Sequence, residues 1–151
     1  MDAEYVRSLL PWRHPFHMID RLLECVPHET ITTIKQVTGD DAMRLGPATE
    51  AQQLPSALIL EGMGQSASLL YQLSYGRLQR SRVPLLGFLK ATLHGPARPG
   101  DAITYVVRAV KMTSTMGLFE ATANVGGAPI AEAELALGVT VAQPQTAGER
   151  S

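Results

Sequence analysis

The sequence predicts an α+β domain in which a curved antiparallel sheet wraps around one long central helix, and a chain that dimerises. Three observations lead there. The stretch Leu54 to Gly76, LPSALILEGMGQSASLLYQLSYG, carries from Ser56 on one carboxylate, Glu61, no positive charge and no amphipathic period, which is the pattern of a helix buried on most sides. Six strand-like segments flank it, two before and four after. A single sheet closed on one helix leaves open edges and an apolar rim, and a second copy is the usual cover.

Taken in order, residues 1–10 read as a short amphipathic helix stopped by Pro11. Met18 to Val26 suits a turn and then a strand, and 30–38 (TITTIKQVT) alternates well enough to be its hairpin partner. Residues 39–53 are polar and aperiodic, so a loop is expected to lead into the helix. Pro55 and Ser56 mark the helix start, proline being tolerated in a first turn and serine able to cap orphan N–H groups. Gly76 is the stop. The run is only just long enough to span a bilayer. Its small residues (Ala57, Gly62, Gly64, Ser66, Ala67, Ser68) argue instead for close packing against a sheet. A strand over 83–94 is then broken by Gly95-Pro96, and Arg98-Pro99-Gly100-Asp101 is a turn signal. Strands follow over 102–111, about 115–125 and about 129–141, with Gly126-Gly127 as the last hairpin turn. Residues 1–142 thus form a single domain, and 143–151 a polar, disordered tail.

Composition narrows the function classes. A net charge of −1 without a long basic stripe argues against nucleic acid as a partner. Secretory n- and h-regions are missing from the amino terminus, no membrane span is expected, and Cys25 is the only cysteine, so the chain reads as cytoplasmic. Cys25 itself reads as a small core filler rather than a nucleophile. Neither a metal-ligand cluster, a phosphate loop nor a nucleotide fingerprint is present, so no cofactor is expected. A lone glutamate on a buried helix is either paired or chemically useful, and the residues alone leave both open for Glu61.

Three segments together resemble the hot-dog-fold β-hydroxyacyl-acyl-carrier-protein dehydratases of the FabZ/FabA type. PWRHPFHMIDR is similar to the family's Pro-Phe-x-x-(Ile/Val)-Asp-Arg segment at Pro15, Phe16, Ile19, Asp20 and Arg21. LPSALILEGMGQSASLL is similar to the helix motif Phe-Pro-Gly-x-Leu-x-x-Glu-Ala-Met-Ala-Gln. GFLKATLHGPARPGD matches a strand and turn ending Pro-x-x-Pro-Gly-Asp at Pro96, Pro99, Gly100 and Asp101. The order is the family's, and the resemblance covers about residues 9 to 141.

The resemblance implies a hot-dog fold and elimination of water from a 3-hydroxyacyl thioester in fatty acid or polyketide/polyene biosynthesis. It implies Glu61 as the acid that protonates the departing hydroxyl. The first amides of the helix, Ser56 and Ala57, would polarise the thioester carbonyl. Gln65 matches the family's glutamine, and Phe16, His17, Gln65 and Phe88 are expected along the substrate tunnel. An acyl-carrier protein with a 4'-phosphopantetheine-linked substrate is the implied partner. Carrier proteins are acidic, and Arg77, Arg80, Arg82 and Arg98 are the docking candidates, with a solvated helix end as the competing explanation for the first three.

One residue of the pattern is missing. The family's general-base histidine precedes the carboxylate by fourteen residues, which falls on Pro47 in Gly46-Pro47-Ala48-Thr49, and no histidine occurs between residues 29 and 93. His14, His17, His28 and His94 read first as ordinary surface or interface residues. Active sites of the family are built across a dimer, so the resemblance implies a homodimer or a heterodimer with a histidine-bearing dehydratase subunit. It also implies little activity for the chain alone. The loop resembles the dehydratase-like proteins of aryl polyene and xanthomonadin pathways. The alternatives are a non-catalytic partner subunit and a hot-dog acyl thioesterase, which the Pro-x-x-Pro-Gly-Asp turn and Pro-Phe-x-x-Ile-Asp segment disfavour.

Overall fold

A computed structural model describes residues 4, 8, 17–42, 53–76 and 82–141. Among these, Glu4 and Ser8 are helical. The expectations for the rest of 1–16 (Phe16 and His14 included), for the Pro47 loop, for Arg77 and Arg80 and for the tail lie outside the described residues.

Alternating residues make the sheet. β1 (Arg21–Val26), β2 (Thr30–Gln36), β3 (Arg82–Leu93), β4 (Ala102–Met112), β5 (Met116–Val125) and β6 (Ala128–Val141) form one antiparallel sheet in the order β1-β2-β4-β5-β6-β3. Ile31 and Thr33, Ile103, Tyr105 and Val107, Phe119, Ala121 and Ala123, and Ala131, Leu135 and Leu137 all face inward and are buried, the period-two signature of a half-buried sheet. Gly126 and Gly127 have φ of 59° and 81°, the left-handed pair that a two-residue hairpin requires. The β1–β2 turn reaches the same region without glycine, through His28 at φ 65°.

Two boundaries differ from expectation. β2 ends at Gln36 rather than 38, because Val37 donates its N–H to Asp101 O at 2.9 Å and leaves the ladder. The stretch expected to be all loop opens with a one-turn helix, α1 (Gly39–Ala42).

The long helix α2 (Ser56–Tyr75) is buried along most of its length, from Ile59 and then Gly62 through Gln72. Its small residues allow the close approach. The Tyr105 ring of β4 occupies the space a side chain at Gly62 would need, and Leu86 of β3 does the same at Gly64. Thr33 and Ser66 share a buried hydroxyl hydrogen bond of 2.8 Å, and Ser66 donates to Gly62 O. At the far end the His28 N–H donates to Ser74 Oγ, and the His28 ring meets Tyr75 edge-on at 4.8 Å.

The helix start corrects the expected capping. Pro55, extended at φ −53° and ψ 135°, is the N-cap residue, Ser56 is the first helical residue, and no side chain caps the start among the described residues. Proline suits that position because it has no N–H to leave unpaired. Cys25 packs against the core, and burial pushes its thiol up, as a core filler requires. Among the described residues no helix is long and apolar enough to cross a membrane, and no three His, Cys, Asp or Glu side chains gather as metal ligands.

Candidate active site

The proline-glycine-aspartate turn places the helix start. The Asp101 N–H donates to Arg98 O, its carboxylate accepts the Arg98 N–H at 2.8 Å, and Gly100 supplies the positive φ of 95°. Gly100 N–H then donates to Val37 O, locking the turn onto the end of β2. Buried Ala97 presents its carbonyl to the Leu54 N–H at 2.7 Å, so the residues leading into α2 are held by the turn. Leu58 and Ile59 both donate to Pro55 O, which leaves the amides of Ser56 and Ala57 at the exposed, uncapped helix start. That is where a helix presents its positive dipole end and its spare donors.

Glu61 follows about a turn and a half later and is half-buried. One turn on, Gln65 is fully buried, and its Nε2 donates to Glu61 Oε1 at 3.3 Å. The Gln65 Oε1 accepts the backbone N–H of Met18 at 2.9 Å. Met18 is held there because Met18 and Ile19 are buried and Asp20 ties the segment to β2, donating its N–H to Ile34 O and accepting the Gln36 N–H. The aspartate of the Ile-Asp-Arg segment is therefore architectural.

His17 directly precedes Met18, is half-buried, and has its Nδ1 sealed from solvent. Phe88 comes to α2 from β3, its ring tip 3.8 Å from where a Gly64 side chain would begin, and remains 39% exposed. The first half of α2 thus carries the Ser56 and Ala57 amides, Glu61 and Gln65, with Phe88 reaching it from β3 and the segment of His17 bonded to it through the Met18 amide. Arg98 is exposed in the turn next to it. Arg82 opens β3, with its side chain outside the described residues.

The other two described histidines are elsewhere. His94 Nε2 meets Glu132 Oε2 at 2.9 Å on the outer face of the sheet, and His28 belongs to the turn at the far end of α2. Sequence reasoning did not reach the Met18 amide as a member of the site. A backbone donor has no residue-type signal. The Glu61–Gln65 spacing of four, a helical neighbour pair, was the available clue.

A curved antiparallel sheet packed on one long helix is the hot-dog architecture, and Glu61 lies half-buried five residues inside the helix start. Residues 10–134 match the model of the FabA-like domain, and the chain belongs to that family. A curated relative, the 3-hydroxyacyl-[acyl-carrier-protein] dehydratase FabZ of Bartonella quintana, is 35% identical over 136 residues, covering 90% of this chain and 88% of that protein. Among solved structures, the dehydratase heterocomplex ApeI:P from Xenorhabdus doucetiae superposes with a TM-score of 0.69 at 14% identity, covering 89% of this chain and 90% of that one. A thioesterase from Haemophilus influenzae superposes at 0.67 with 14% identity, covering 96% and 94%. Identities this low show the shared fold and do not separate the two chemistries.

Proposed function

We propose that this chain is a hydro-lyase of the 3-hydroxyacyl-ACP dehydratase type, eliminating water from a 3-hydroxyacyl thioester in fatty acid or polyketide/polyene synthesis. Glu61 carries the reading: half-buried on a helix otherwise free of charge and bonded to Gln65. It delivers a proton to the departing hydroxyl. The Ser56 and Ala57 amides polarise the thioester carbonyl, which raises the acidity of the proton on carbon 2. The reaction moves protons and no electrons, so it calls for no cofactor. Phe88 and His17 border the path of the acyl chain beside Gln65.

The substrate arrives on the phosphopantetheine arm of an acyl-carrier protein, and Arg98, with Arg77, Arg80 and Arg82, forms the cationic ground that attracts an acidic carrier. The enzyme works in the cytoplasm and as a dimer. Edge strand β3 is twelve residues long and exposes Leu85 (59%), Phe88 and Leu93 (47%), an edge that a second chain would cover. Pro47 offers no base for carbon 2. A histidine-bearing second subunit, as the family resemblance implies, is one source, and the residues beside Gln65 make this chain another.

Hydration of a crotonyl or longer enoyl thioester on a carrier protein tests the reading, by the chain alone and with candidate partner subunits. Hydration that Glu61→Gln abolishes supports it. Hydrolysis of the acyl thioester without hydration would make the protein a thioesterase, and neither activity in any combination would make it a non-catalytic subunit.

A further inference from the structure

We infer that His17 is the general base of this site, so that the chain carries its own acid and base. The inference rests on Glu61 as the acid but not on a partner's histidine. Elimination takes a proton from carbon 2 and gives one to the oxygen on carbon 3, so the two groups must reach adjacent carbons of one substrate.

Distance separates the described histidines. The backbone of His28 is bound to Ser74, thirteen residues beyond Glu61, which is about 20 Å along the helix axis. His94 is held by Glu132 on the outer face, with the sheet between it and α2. His17 alone of these is tied to the acid. Two hydrogen bonds and one side-chain amide join Glu61 to the Met18 N–H, which places the His17 Cα within about 11 Å of the carboxylate. His17 is half-buried where its segment meets the helix at Gln65, one turn beyond Glu61. Imidazole also titrates near neutrality, as a base for carbon 2 must.

In the forward step the neutral His17 imidazole takes the carbon 2 proton, and the electron pair of that C–H bond becomes the carbon–carbon double bond. The C3–O bond breaks, and its oxygen takes the Glu61 proton and leaves as water. Imidazolium and carboxylate then return to their starting states by exchanging one proton through solvent, and nothing else is consumed. In hydration the imidazolium returns the proton to carbon 2, so the rate falls as pH rises through the imidazole titration.

The test is enoyl-thioester hydration by the purified full-length chain alone, with wild type, His17→Gln, His14→Gln and Glu61→Gln compared in kcat, pH profile and melting temperature. We expect wild type to be active alone. His17→Gln should lower kcat by about 10²–10⁴-fold and lose the alkaline limb of the profile while melting near wild type. His14→Gln should retain both the rate and that limb. The proposal is overturned if His17→Gln keeps the wild-type rate and limb, or if the limb and the rate disappear with His14→Gln instead. A wild-type chain that is inactive alone and active only beside a histidine-bearing subunit overturns it as well, and leaves the dehydratase reading standing. Failure of that reading has its own signature, hydrolysis of the acyl thioester without hydration or no turnover in any combination, whereas full hydration by Glu61→Gln would remove only Glu61 as the acid.

Discussion

Gln65 holds Glu61 in a fixed orientation. Its Oε1 accepts the Met18 N–H at 2.9 Å, so only its Nε2 is left to face Glu61 Oε1, at 3.3 Å. Flipping the amide would set two N–H donors against each other and a carbonyl oxygen against a carboxyl group. One Glu61 oxygen is thereby kept as an acceptor, and the other would carry the proton in the proposed elimination. Gln65→Leu removes that orientation and orphans a buried backbone donor, at a cost of about 1–3 kcal/mol. A fall in melting temperature of about 2–4 °C for each kcal/mol, with reduced turnover, is the expected result. Thermal denaturation and enoyl hydration measured on one preparation check it.

Glu61→Gln keeps the size and the capacity to pair with Gln65 but cannot deliver a carboxylic proton. Turnover should fall by about 10²–10⁴-fold, with a melting temperature close to wild type. A structural ion pair would behave in reverse, because removing one charge of a buried pair costs about 3–5 kcal/mol. A low melting temperature with unchanged turnover would take Glu61 off the site.

The two helix glycines should respond differently to alanine. A methyl at Gly62 collides with the ring of Tyr105, which is fully buried and cannot swing away, so Gly62→Ala should destabilise by about 1–3 kcal/mol. At Gly64 the obstacle is the tip of Leu86, a flexible and only partly buried side chain. There the gain in helix propensity, about 1 kcal/mol, offsets much of the strain. Urea titration of both variants should rank Gly62→Ala as the weaker protein.

Charges on the β3 edge should dissociate the dimer. Leu85→Lys with Leu93→Lys places two like charges on each copy where the exposed apolar edge would pair. Light scattering at micromolar concentration should show wild type at twice the chain mass and the double variant at the chain mass. Identical masses for the two proteins would move the interface elsewhere.

Burial raises the Cys25 thiol in the folded chain, which disfavours the thiolate. The neutral thiol's contribution to stability is therefore fully present below the unfolded thiol's titration and is lost as pH rises through the raised folded value. Iodoacetamide should therefore label Cys25 slowly near pH 8 in the native chain and faster after unfolding in urea. Equal rates in the two states would contradict the assignment.

The strand sequence, the helix from Ser56 to Tyr75 and the two turns that need positive φ at Gly100 and at Gly126-Gly127 are written into the chain as local patterns. They were legible because periodicity, missing charge and glycine each act over a few neighbouring residues. Glu61 was legible for the same reason, as the one charge on a helix that has no other. The helix cap was not, since proline and serine each suit two adjacent positions and the choice follows from how Ala97 holds Leu54. Nor was the fate of the histidines. Separating His28 from Glu61 by most of a helix, facing His94 outward onto Glu132 and tying the segment of His17 to Gln65 through the Met18 amide are consequences of strand order and register. Only the folded chain decides them, because each joins residues at least 38 positions apart.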